Sequence, residues 1–215
     1  MITRILVILI ASDFLLQAGW GLIGPIFALF LTEQIAGGTA VMVGFVVAAY
    51  WIVKSVIQPF LAHYLDTKKG ERDDFSFLVI GMFVANTVPL GYLFVTEFWQ
   101  VFLLEIIRGV AMAAVVPSWS AIFTRHIAKG WEAFSWSVES TALGFAAGFA
   151  AAFGGILATA LGFQAVFLLV SCFGLLSSGL LFLARRRLFP SLASVKMEKK
   201  EKRSDKNINN AHYFI

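Results

Sequence analysis

Six apolar stretches, at 5–31, 40–61, 75–95, 99–123, 134–157 and 163–184, divide most of this chain into blocks of similar length. A helix that crosses a bilayer needs about 20 predominantly apolar residues at a rise of about 1.5 Å each. Each stretch meets that length. The first is too long for a signal-peptide core, which runs about 7–15 residues, and it reads as an uncleaved first span. Charged residues make up only 14% of the chain, against about 25% in a soluble domain. A chain this apolar cannot cover itself with polar surface, so lipid is its solvent. The expected fold class is therefore an all-α membrane protein with six transmembrane helices in one bundle over 1–184. A basic, disordered cytoplasmic tail is expected over 185–215.

The basic residues set the orientation. Fifteen of the 17 Lys and Arg precede the first stretch, follow the second or fourth, or lie in the tail. The turns after the first, third and fifth stretches hold none. By the positive-inside rule both termini face the cytoplasm. Because these residues flank apolar runs and form no basic face, the pI of about 9.3 does not indicate a nucleic-acid partner. The single cysteine, Cys172, lies in an apolar stretch and excludes an internal disulfide.

The other two cations, Lys54 and Arg108, fall inside spans. A charge at mid-membrane costs at least about 2.5–3.5 kcal/mol on insertion scales, so each one needs a reason. Asp13, Gln17 and Trp20 are spaced i, i+4, i+7 on the first helix and share a face. Glu105 and Arg108 share a face of the fourth helix, continued by Met112 and Trp119. These five, Asp13, Gln17, Trp20, Glu105 and Arg108, are the expected lining of a substrate or proton cavity. Lys54 reads either as a snorkelling lysine or as a cavity group, and Glu139 as a partner for a loop cation. The third and sixth stretches, poor in polar groups, read as the outer pair. Asp13 and Glu105 each precede a proline, Pro25 and Pro117, by the same interval of 12 residues. Three spans per unit would make two such units inverted relative to each other, an arrangement in which proline-interrupted spans mark a transporter's site. In the fifth helix Gly144, Gly148, Gly154 and Gly155 predict close helix packing.

With these features in view, the chain resembles the first six helices of the major facilitator superfamily. Ala62, Asp66, Lys68, Lys69, Gly70 and Arg72 resemble the family's motif A, with Ala62 for its usual Gly and one extra residue before Gly70. Arg108-Gly109 to Pro117 resembles motif B, and Lys129-Gly130 to Phe134 the entry to helix five. The Gly-Pro of the antiporter motif is absent from helix five. The resemblance implies half of a major-facilitator fold, a 3+3 inverted repeat with helices one and four lining a central cavity. It further implies transport of a small-molecule solute by alternating access in the plasma membrane, with a second six-helix half or a homodimer completing the carrier. It makes the loop of Asp66, Lys68, Lys69, Gly70 and Arg72 a gating element. A transport-incompetent half-transporter fragment is the alternative. An intramembrane enzyme or scaffold is a third reading, but no His-Glu-x-x-His, Gly-x-Ser-x-Gly or phosphate loop is present, and the dispersed histidines suggest no metal. No cofactor is expected.

Overall fold

The computed structural model describes residues 3–67 and 70–188. Within them the secondary structure is helical: α1 Arg4–Ile23, α2 Phe27–Gln34, α3 Ala40–Thr67, α4 Glu71–Gly91, α5 Phe98–His126 and α6 Glu132–Leu188. Five of these helices are long and apolar enough to cross a membrane. One departure from the sequence reading has a clear cause. The stretch 5–31 divides at Pro25, which has no N–H to donate; the chain turns through Gly24–Ile26 before α2 resumes. Pro117, its counterpart in the repeat, is accommodated inside α5 without a break. The fifth and sixth stretches form two helical limbs of α6 on either side of a non-helical residue at Gly162, φ +82°.

That residue reverses the chain. A straight helix would hold positions 139 and 177 about 57 Å apart, yet Glu139 meets Asp13 and Ser177 meets its neighbour Ser12. The two limbs of α6, 132–161 and 163–188, are therefore antiparallel, and α1 lies against both. Gly21 of α1 abuts Ala147 and Ala150 of the first limb, and Gly19 abuts Val170 of the second. α5 is placed in the same way between α3 and α4: Gly109 lies on the Tyr50 carbonyl, and Gly81 lies against Ala111 and Val115. α4 in turn meets the second limb of α6, where Asn86 donates to the Gly174 carbonyl at 3.0 Å. These contacts correct the expectation that the third stretch is peripheral, since half of the apolar window of α4 is buried against 17% for α3.

Two apolar layers close the ends of the bundle. Leu22, Phe30, Ile35, Tyr92, Val101 and Phe167 form one; Leu6, Leu9, Phe75, Met82, Ile122 and Leu181 form the other. The first layer gathers the three turns that lack Lys and Arg. The Ala36 N–H donates to the Thr96 carbonyl at 3.2 Å, and Phe30 packs on Phe163 just past the Gly162 bend. At the opposite end Asp74, in the first turn of α4, pairs with Arg125, and Glu71 lies 3.4 Å from His126. The predicted tail begins as a continuation of α6 to Leu188, and its remainder, 189–215, lies outside the described residues.

Candidate functional site

Between the two apolar layers lies a belt of polar contacts. Buried polar groups in lipid must satisfy one another, because no water competes for them. Ser12 and Ser177 exchange hydrogen bonds with each other's hydroxyl and carbonyl groups, joining α1 to α6. Asn86 reaches Gly174 and, at 3.4 Å, Ser178.

The centre of the belt is Arg108. Its Nε donates to Glu105 Oε2 at 3.0 Å, and its terminal nitrogen donates to the same oxygen. Glu105 is 1% exposed, and its other oxygen accepts from the buried Tyr92 hydroxyl. The guanidinium lies 3.7 Å from the centroid of the Tyr50 ring and 4.3 Å from that of Trp20. A cation bracketed by two aromatic faces gains about 0.5–2 kcal/mol from each in addition to its ion pair. Three helices thus meet on one side chain: α1 supplies Trp20, α3 supplies Tyr50 and α5 supplies the ion pair. Lys54, one turn beyond Tyr50, places its amine 4.8 Å from the Trp51 ring and 5.8 Å from the Tyr50 ring.

The structure brings together Trp20, Glu105 and Arg108 of the five predicted cavity residues. Gln17 is half-buried on α1. Asp13 is also half-buried and lies near Glu139 of α6. Glu139 was expected to take a loop cation; its place beside Asp13 follows from the antiparallel return of α6. Of the predicted packing glycines, Gly154 fits so closely against the Leu22 carbonyl that an added Cβ would clash with that oxygen. Gly144, Gly148 and Gly155 are corrected: they face open space, because the surface they present is turned away from α1. Asp66 is exposed in the last turn of α3, Gly70 caps α4, and Arg72 is exposed in its first turn; Lys68 and Lys69 lie outside the described residues. Tyr92 and Tyr50 were missed, since an isolated tyrosine in an apolar run carries no periodic signal. Asp74 was hidden among the acids of a helix N-terminus, where such residues are common. An apolar groove of about 520 Å³ lined by Phe77, Ile80, Val84 and Val110 has no charged residue in its wall and stands apart from the belt.

Long apolar helices folded around a buried polar belt define an integral membrane protein. The sequence model of the Major Facilitator Superfamily matches residues 9–210, and the chain belongs to that family. No curated protein matches the sequence. Among solved structures it is similar to the POT family transporter PepTSo, determined by in meso crystallography, with a TM-score of 0.68 at 13% identity. The likeness covers 87% of this chain and 38% of that one, and at this identity it speaks for the fold.

Proposed function

We propose that this chain is one six-span half of a carrier that moves a small solute by alternating access, completed by a second six-helix unit. The observation that carries the reading is the Arg108 cluster. It is an ion pair at mid-depth of the bundle, bracketed by aromatic rings from α1 and α3, in a fold whose family transports solutes. Asp13, Gln17, Trp20, Glu105 and Arg108 line the cavity in this reading. The six-span count is supported by the reversal at Gly162. An inverted 3+3 repeat is supported by the packing: α1 against both limbs of α6 is matched by α5 against both α3 and α4. Cytoplasmic termini are supported by the gathering of the three Lys- and Arg-free turns at one end, and the plasma membrane is the setting this reading assigns. Asp66, Lys68, Lys69, Gly70 and Arg72 gate the cytoplasmic side by this reading.

Proteoliposomes containing the full chain, assayed with a panel of labelled solutes, test the transport claim. Saturable uptake of any panel member supports it; absence of uptake with or without a co-expressed second half favours a transport-incompetent fragment. Orientation is read separately in sealed cells of a Cys172→Ser background. An impermeant thiol reagent should label Gly37→Cys and spare Gly70→Cys, and the reverse pattern overturns the topology.

A further inference from the structure

Lys54 sits midway along α3, about 20 Å from either end at the helical rise. The apolar stretch of α3 ends at Leu61, about 10 Å from Lys54 at the helical rise, but the amine does not reach for that end by snorkelling. Nor does it point toward the charged end of α3. It lies over the rings of Tyr50 and Trp51, which precede it in the chain. Among the described residues no carboxylate pairs with it. Glu105, the acid of the Arg108 cluster, is already engaged by Arg108 and Tyr92. The group around Tyr50 therefore holds two cations and one carboxylate, an excess of one positive charge at the depth where an uncompensated charge is most costly. Trp51 is 55% exposed and leaves a flat apolar surface beside the amine.

Building on the carrier reading above, we infer that Lys54, with Trp51 and Tyr50, is the anchor for the solute, and that the solute is an organic monoanion: one carboxylate joined to a flat apolar body. The carboxylate pairs with the Lys54 ammonium and supplies the missing charge, while the body lies on the indole of Trp51. Arg108 plays no direct part in holding the anion. With its charge met by Glu105 and both its faces covered by Trp20 and Tyr50, it sets the position of the Tyr50 ring. Selection for a single charge follows from the count, since a second carboxylate would find no unpaired cation in the cluster.

Benzoate serves as the probe, with benzamide as its neutral analogue and phthalate as its dianionic one. Binding is followed by tryptophan fluorescence of the purified full-length chain in nanodiscs of neutral lipid. Saturable quenching by benzoate is expected, with benzamide and phthalate at least about tenfold weaker, a difference of about 1.4 kcal/mol. Lys54→Gln should lose benzoate affinity by at least about tenfold, and Lys54→Arg should keep it within about threefold. The inference is overturned by equal binding of benzoate and benzamide, by no saturable benzoate quenching, or by full affinity in Lys54→Gln. The comparison of the three probes on the unaltered chain decides the matter even if Lys54→Gln does not fold. Uptake of cationic or neutral solutes with benzoate inert would remove the anion assignment and leave the carrier reading standing.

Discussion

The carboxylate of Asp74, in the first turn of α4, is buried to 1% exposure and pairs with the guanidinium of Arg125 in the last turn of α5. The pair ties two helix ends whose dipoles favour these signs of charge, an acid at an N-terminus and a base at a C-terminus. Its other carboxylate oxygen has no hydrogen-bond partner, so Arg125 is the main compensation for a buried charge. Arg125 is 44% exposed, which lowers the worth of the pair below that of a fully buried one.

Arg125→Ala should therefore cost about 1–2 kcal/mol, and Asp74→Asn less, because the amide leaves no unpaired anion. Adding Asp74→Asn to Arg125→Ala should recover part of the loss, an interaction that a double-mutant cycle on the unfolding transition would measure. Additive losses would mean that the contact contributes nothing.

The glycines of α6 give a paired test of packing. Gly154→Ala places a Cβ against the backbone oxygen of Leu22, which cannot rotate away, so α1 and α6 must separate. A loss of about 1–3 kcal/mol is expected, the usual cost of overpacking. Gly148→Ala meets nothing within 4 Å and should be neutral or slightly stabilising through its better helix propensity. Thermal unfolding of the two variants in the same detergent checks the contrast; similar losses in both would contradict the assigned facing of the helix.

Gly162 is the turning point of α6, and its φ of +82° lies where an L side chain is strained. Gly162→Ala should cost about 1–3 kcal/mol, since φ +82° with ψ 166° is a region essentially reserved for glycine. The loss should appear without change in helical content, because the limbs themselves have ordinary helical geometry. A drop in far-ultraviolet ellipticity comparable to that of unfolding would show that the bend is needed for the limbs to form at all.

Much of this arrangement was legible in the sequence, for physical reasons that differ by residue. The apolar runs revealed the long helices because lipid imposes a length. The i, i+3 spacing of Glu105 and Arg108 placed them on one face and made their pairing readable. The spacing of Trp20 from Asp13 set them on one side of α1 but could not say which helices that side would meet. Trp20 went to Arg108 and Asp13 to Glu139, because contacts between distant segments depend on how α6 folds back. That reversal rests on one backbone angle at Gly162, in a chain with 18 glycines. Pro25 and Pro117 carried identical local signals, yet only the first breaks its helix. The facing of Gly144 and Gly148 was equally hidden, since a small-residue stripe has the same spacing whether a helix or open space lies opposite.

The Arg108 cluster allows an ordering of substitutions that a mere hydrogen-bond network would not produce. Glu105 is compensated by Arg108 through two donors and by the Tyr92 hydroxyl through a third. Tyr92→Phe removes one neutral donor and should cost about 1–3 kcal/mol, the penalty for a buried acceptor that loses a partner. Arg108→Leu leaves a carboxylate that is 1% exposed without its cation and also uncovers the rings of Trp20 and Tyr50. It should be the most destabilising of the single changes, at about 3–5 kcal/mol. Replacing both charges, as Glu105→Leu with Arg108→Leu, removes the unpaired anion and should recover a large part of that loss, because an apolar pair needs no compensation at this depth. The order expected from unfolding in detergent is Arg108→Leu worst, the double variant intermediate and Tyr92→Phe mildest. A double variant less stable than Arg108→Leu alone would show that Glu105 contributes through contacts other than its ion pair.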